Sequence, residues 1–239
     1  LKREIALQAA LFDRSRKLTQ LHLGGGTPTY LTSEQLSELM SCLREHFNLD
    51  ESDNHEFSIE VDPRTIDTAR IAELRSQGFN RLSFGVQDFD PIVQKAVHRI
   101  QPAEQVFALV AAAREIGFES INVDLIYGLP KQTPESFDRT LAQVAELRPD
   151  RIALYAYAHL PERFKPQRRI IAIDLPGAPN KVAMLARSLA AFEAAGYDYI
   201  GMDHFALPND ALAVAKRQGR LHRNFQGYST QPDCDLIAL

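Results

Sequence analysis

Cysteine is nearly absent from this chain: its 239 residues hold only Cys42 and Cys234, far apart. Such a pair builds no disulfide framework, and the scarcity suits a reducing cytosol. Cys42 falls in the helical stretch 36–43 and reads as a small buried or half-buried hydrophobe. No run of about 18 apolar residues occurs, so no helix is long and apolar enough to span a bilayer. Basic residues do not exceed acidic ones, 27 against 31 for a net charge of −4, which argues against a nucleic-acid surface. The seven histidines are scattered. None forms an H-x-x-x-H or H-E-x-x-H pair or a His/Cys set at zinc spacing, so no metal site is read. Without G-x-S-x-G a hydrolase triad has no support, and without G-x-G-x-x-G feeding a helix a dinucleotide-binding sheet has none.

What is present is ordinary globular composition, 45% hydrophobic and 24% charged, with enough length for one α/β domain over 1–239. Short apolar runs alternate with amphipathic stretches. Strands are expected at 18–23, 57–61, 81–86, 120–126, 151–157 and 199–202. Helices are expected at 5–12, from Ser33, 66–77, 103–116, from Thr133 to before Pro149, 179–195 and 210–218. Gly78, Gly117, Gly196 and Gly219 stop four of them. This alternation implies right-handed βαβ units and a parallel sheet. Six such strands fit a partial (β/α) barrel. The Pro-, Arg- and Lys-rich segment 161–179 reads as an excursion over the barrel mouth, and the tail 221–228 shows no periodicity.

The chemistry concentrates where strands end. Gly24-Gly25-Gly26-Thr27-Pro28 closes the first strand with bare backbone, whose N–H and C=O groups can touch a small polar ligand. Glu60 and Asp62 lie two apart and share a face. Gln87 offers donor and acceptor together. Asp124 sits inside the apolar run 121–126, a costly place for a carboxylate without a partner or a ligand. Arg99, just past a short helix, reads locally as a surface salt bridge. Asp203-His204 beside Gly201 suggests a substrate-facing turn. In a parallel barrel these strand ends form one active face.

Together the blocks Leu21-His22-Leu23-Gly24-Gly25-Gly26-Thr27-Pro28-Thr29-Tyr30, Ser58-Ile59-Glu60-Val61-Asp62-Pro63-Arg64, Arg81-Leu82-Ser83-Phe84-Gly85-Val86-Gln87-Asp88-Phe89 and Asp124-Leu125-Ile126-Tyr127-Gly128-Leu129-Pro130 resemble the radical S-adenosylmethionine (SAM) enzymes. Tyr157-Ala158-His159-Leu160-Pro161, Gly201-Met202-Asp203-His204-Phe205-Ala206 and His222-Arg223-Asn224-Phe225-Gln226-Gly227-Tyr228 extend the likeness, and the last two point to the oxygen-independent coproporphyrinogen III oxidases within them. The resemblance implies oxidative decarboxylation of two propionates of coproporphyrinogen III to vinyls, giving protoporphyrinogen IX, by a SAM-derived radical generated at a [4Fe-4S] cluster. It places Gly25, Gly26 and Thr27 on the methionyl part of SAM and Glu60 as an acceptor. Gln87, Arg99, Asp124 and Ala158 complete the SAM pockets; for Arg99 this replaces the surface reading.

The resemblance further implies a cytoplasmic, monomeric parent that takes electrons from a donor protein. The family's Cys-x-x-x-Cys-x-x-Cys motif is not in this sequence, and the chain opens at Leu1 without an initiator Met. The expectation is therefore a piece from the middle of a longer protein, truncated at both ends. Alone it is expected to lack catalysis, to leave the 18–23 strand as an exposed edge, and to fold poorly or associate. Asp203, His204 and Arg223 are candidates for holding the propionates. Two other readings stay open on sequence: a haem chaperone of the same superfamily, and a cluster-less barrel binding SAM or nothing.

Overall fold

The computed structural model describes residues 1–224 and 227–239. The elements run α1 (Lys2–Ala9), β1 (Lys17–Leu18), β2 (Gln20–Leu23), α2 (Ser33–His46), β3 (Asn48–Leu49), β4 (Glu56–Val61), α3 (Thr68–Ser76), β5 (Arg81–Gln87), α4 (Pro91–Ala96) and α5 (Ala103–Ile116). They continue β6 (Ser120–Tyr127), α6 (Pro134–Leu147), β7 (Arg151–Ala156), α7 (Ala178–Ala194), β8 (Asp198–Gly201), β9 (His204–Ala206), α8 (Ala211–Arg217), β10 (His222–Asn224) and β11 (Gly227–Ser229).

Local chemistry fixes the helix ends. Thr32 and Gln35 form a reciprocal capping box on α2, with Oγ1 and Oε1 each accepting the other's backbone N–H. Asp67 caps α3 and Asp90 caps α4. Gly117, at φ 93, ends α5 in the left-handed conformation that a side chain would resist.

The main sheet has the order β2-β4-β5-β6-β7-β9-β8. Strands β2, β4, β5, β6 and β7 are parallel neighbours, joined by crossovers that carry helices. Their burial alternates strictly in β4 and β5. Phe57, Ile59, Val61, Leu82, Phe84 and Val86 face the helices and are buried, whereas Ser58, Glu60, Ser83 and Gln87 face the other way and stay half-buried. A sheet covered on both faces would instead carry near-continuous apolar runs. The face away from the helices is therefore polar and open to a ligand.

Three expectations change. The strand expected at 199–202 is not a further parallel strand: β8 and β9 form an antiparallel hairpin, and β9 inserts between β7 and β8, antiparallel to both. Strands of four and three residues are too short to display direction in a sequence pattern. The expected strand 18–23 divides at Thr19, with β1 pairing β3 in a separate parallel pair and β2 taking the edge of the main sheet. In the tail, β10 and β11 form a hairpin; Phe225 and Gln226, part of the block quoted from the sequence, lie outside the described residues.

Among the described residues two apolar cores result. The larger runs from Ile5 to Phe205 between the helices and the sheet. A smaller one unites Ile200, Ala206, Leu212 and Ala213, with Leu221 and Tyr228 packed against it, so β8, β9, α8 and the tail hairpin share a core of their own.

Candidate functional site

The C-terminal ends of β2, β4, β5 and β6 enclose a polar cavity of about 130 Å³ lined by Gly26, Thr27, Glu60, Val61, Asp62, Ser83, Gly85, Gln87, Arg99 and Asp124. Six of the eight residues singled out from the sequence thus meet in one place. Gly25 adjoins it at φ 85, and a Cβ at Gly25 or Gly26 would meet nothing within 4 Å. Ala158 does not line it: it is exposed, two residues beyond the end of β7, and its carbonyl accepts a 3.0 Å hydrogen bond from Gln167 Nε2. A larger hollow of about 380 Å³ lies beside β3, lined by Arg14, Arg44, Phe47, Asn48, Leu49 and Glu51, and includes none of these groups.

Glu60 stands 3.4 Å from His22 Nε2, and His22 Nδ1 lies 2.8 Å from Ser58 Oγ. A Cβ on Gly24 would fall 2.6 Å from both Glu60 Oε1 and His22 Nε2, so that glycine is required by the pair it lies against. Asp62 is buried and accepts a bidentate pair from Arg64, Nε at 2.9 Å and Nη2 at 2.6 Å, with Arg99 Nη2 at 3.4 Å. Although burial opposes it, these bonds and the two guanidinium charges hold the Asp62 carboxyl below its usual range. Arg99 also donates to the Gly85 carbonyl at 2.8 Å, but its buried Nε has no partner. The surface reading of Arg99 is thus corrected: its guanidinium is half-buried, and one donor remains to be satisfied.

Gln87 reaches the cavity through an irregularity. The β5–β6 register shifts between Gly85 and Gln87, and Gln87 sits at φ 68. A non-glycine residue there stores strain, which the surroundings must over-determine. They do so through Asp88, whose buried carboxylate accepts from Thr140 Oγ1 (2.6 Å), Gln132 Nε2 (2.5 Å) and the Asp90 amide (2.7 Å).

Asp124 is oriented by donors from the neighbouring register: Ser83 Oγ donates to it at 3.0 Å and Asn122 Nδ2 at 2.8 Å. Burial, and then the nearby Glu60 charge, raise its carboxyl from 3.8 to about 6 despite these bonds. A folded pKa above the unfolded one gives stability that is full below about pH 4 and is lost as pH rises through about 6. Asp124→Asn is therefore expected to match the wild-type urea midpoint near pH 4. By pH 7 the variant should exceed it by about 1–3 kcal/mol after allowing for cavity water. Equal midpoints across this range would contradict the assignment.

Sequence reading missed Ser83, Asn122 and Gly85. The first two pair with Asp124 only through strand register, and Gly85 earns its place by leaving room for Arg99 Nη2 and Gln87 Nε2, each 3.0 Å from where its Cβ would be. Among the described residues no group of three or more His, Cys, Asp or Glu is placed to hold a metal. Cys42 is buried on α2 and Cys234 is exposed in the tail.

The model of the radical SAM superfamily matches residues 1–144, which includes every residue of the cavity. The chain belongs to the radical SAM superfamily. Over all 239 residues it is 56% identical to the oxygen-independent coproporphyrinogen III oxidases of Pseudomonas aeruginosa and Escherichia coli, covering 52% of each. The solved structure of Escherichia coli coproporphyrinogen III oxidase (HemN), described as a radical SAM enzyme, superposes with a TM-score of 0.96 at 55% identity over the whole chain and 54% of that protein. Archaeal Elp3 from Methanocaldococcus infernus, at 14% identity, shares the fold alone, with a TM-score of 0.56 over 78% of this chain and 48% of its own. The chain thus spans about half the length of the curated relatives it matches.

Proposed function

We propose that this chain is the SAM-binding barrel unit, residues 1–239, of an oxygen-independent coproporphyrinogen III oxidase. The whole protein converts two propionates of coproporphyrinogen III to vinyl groups, each losing CO2 and one hydrogen, and yields protoporphyrinogen IX. The observation that carries this reading is the 56% identity with named oxidases along the entire chain. The match extends through the Gly201-to-Ala206 and His222-to-Tyr228 blocks, which favours the oxidase over a chaperone or an inert barrel.

The cavity fits the polar end of SAM. An amino-acid head carries one ammonium and one carboxylate, and about 130 Å³ accommodates that head rather than the whole molecule. Arg99 brings an unpartnered buried Nε to an anion. Glu60 and Asp124 are acceptors for ammonium or hydroxyl hydrogens. Gly25 and Gly26 present backbone with no side chain between it and the ligand. Thr27 and Gln87 supply neutral donors and acceptors beside them; Ala158, given to a SAM pocket by the resemblance, stands outside this cavity. Bound SAM, reduced by a [4Fe-4S] cluster, supplies the hydrogen-abstracting radical; the residues here bind and orient it, and the two cysteines of this chain are not placed to ligate the cluster. We assign the whole protein to the cytoplasm as a monomer, served by an electron-donor protein and acting on neither nucleic acid nor membrane.

The test is anaerobic turnover by the full-length protein with SAM, a low-potential reductant and coproporphyrinogen III. Protoporphyrinogen IX with release of 5′-deoxyadenosine and methionine is expected. Reductive SAM cleavage without decarboxylation would overturn the substrate assignment, and no SAM binding would overturn the cofactor assignment.

A further inference from the structure

A second cluster of chemistry-bearing side chains stands at the same rim, outside the SAM cavity. The turn between β8 and β9 is strained, with Gly201 at φ 148 and Met202 at φ 49. Its product is the position of Asp203, whose carbonyl accepts from the Leu154 amide at 2.7 Å beside the end of β7. The Asp203 carboxylate is half-buried, yet no side chain or backbone group among the described residues donates to it or pairs with it. A half-buried carboxylate without a protein donor keeps its lone pairs free to accept hydrogen bonds from a ligand.

Aromatic rings gather around the adjoining residue, His204. Tyr155 meets His204 edge-on at 6.3 Å and 90°, and His204 meets Tyr228 at 5.5 Å and 82°. Tyr228 is seated on the turn itself, because a Cβ at Gly201 would collide with its phenol oxygen. Burial keeps the His204 ring neutral at pH 7, and its buried Nδ1 has no partner. Burial, followed by the charges of Asp124, Asp203 and Glu60, pushes the Tyr155 phenol up to about 12. Tyr155 thus feels the carboxylates of the cavity and of the turn alike. Arg223, exposed on β10, adds a cation near His204.

We propose that this turn is the macrocycle site of the proposed oxidase: Asp203 accepts the pyrrole N–H groups of a porphyrinogen while Tyr155, His204 and Tyr228 pack against its rings. The inference rests on the oxidase reading and names the group that holds its substrate. A porphyrinogen is a tetra-anion at its edge but presents four N–H donors at its centre. A carboxylate, which only accepts, is matched to that centre, and edge-presenting rings are matched to the electron-rich pyrrole faces. Propionates then extend outward, toward Arg223 on one side and the SAM cavity on the other.

The experiment compares coproporphyrinogen III with its oxidised form, coproporphyrin III, which keeps only two central N–H groups and gains two bare nitrogens. Binding of each is measured anaerobically to full-length wild type, Asp203→Asn and Asp203→Ala, together with KM, kcat and SAM affinity. Wild type is expected to prefer the porphyrinogen. Asp203→Ala should raise its KM tenfold or more and abolish the preference, with SAM affinity unchanged; Asp203→Asn, isosteric and with one acceptor left, should fall between. A purely structural role would weaken both tetrapyrroles alike. Wild-type turnover with an unchanged preference and KM in Asp203→Ala and Asp203→Asn would overturn this inference alone. A wild type that neither binds nor converts coproporphyrinogen III would overturn the oxidase reading and this inference with it.

Discussion

Replacing Gly24 by alanine is expected to lower SAM affinity at least tenfold while changing folding stability by less than about 1 kcal/mol. The added Cβ would lie 2.6 Å from Glu60 Oε1 and 2.8 Å from its Cδ, closer than any real contact, so something must move. What moves is cheap for the fold: the ends of two flexible, half-exposed side chains, Glu60 and His22, can swing toward solvent. The consequence falls on the site, because the displaced carboxylate is the acceptor assigned to SAM and loses the His22 Nε2 at 3.4 Å that orients it. A charged hydrogen bond is worth about 1.5–3 kcal/mol, which corresponds to roughly tenfold to a hundredfold in affinity. Gly26→Ala is the control, since a Cβ there meets nothing within 4 Å. Calorimetric SAM titration of both full-length variants gives the answer. Retained affinity in Gly24→Ala would show that Glu60 is not held as described.

Asp88→Ala carries the largest expected cost in stability, about 3–5 kcal/mol in chemical denaturation. Three donors converge on the buried Asp88 carboxylate, and removal leaves the Thr140 hydroxyl and the Asp90 N–H without an acceptor and the Gln132 amide with the Ile126 carbonyl alone. None has an easy alternative. Gln132 is already fixed by accepting the Gly128 and Leu129 amides through Oε1, and Thr140 Oγ1 already accepts from the Phe89 amide. Asp88→Asn turns one acceptor into a donor facing another donor, so it should lose less than alanine but not recover wild type. The same knot reaches the site. Gln94 Nε2 donates to the Asp88 and Gln101 carbonyls at 2.9 Å, and the Arg99 amide to the Gln94 carbonyl at 2.9 Å. SAM affinity should therefore fall in Asp88→Ala even where the protein remains folded. A stability loss below about 1 kcal/mol would mean that water replaces the missing acceptor.

Much of this was legible without coordinates. The strands through Ile59, Phe84 and Val123 announced themselves as short apolar runs between amphipathic stretches, and their polar ends converged because parallel strands all finish on one side. Asp124 stood out because a carboxylate inside an apolar strand needs a reason. What escaped depends on register or on short elements. Ser83 and Asn122 are ordinary residues until pairing puts them opposite Asp124. The reversal at Gly201–Met202–Asp203 is carried by left-handed dihedrals and by strands of four and three residues, and no periodicity can establish over such lengths. Ala158 was placed by resemblance and contributes no side chain to the cavity. Arg99 looked like a surface cation because its partner, Asp62, lies 37 positions earlier in the chain.

The smaller core beneath β8, β9 and α8 has a further meaning. The superfamily match ends at residue 144, inside α6, and this core lies wholly beyond it. The β8–β9 hairpin therefore rests on this smaller core through Ile200 and Ala206, while Phe205 joins it to the larger one. Substitutions around this core fall outside the matched segment that holds every lining residue of the polar cavity. One half of the chain is thereby held to a common chemistry while the other is free to diverge, so a lineage can change what it acts upon and keep how it acts.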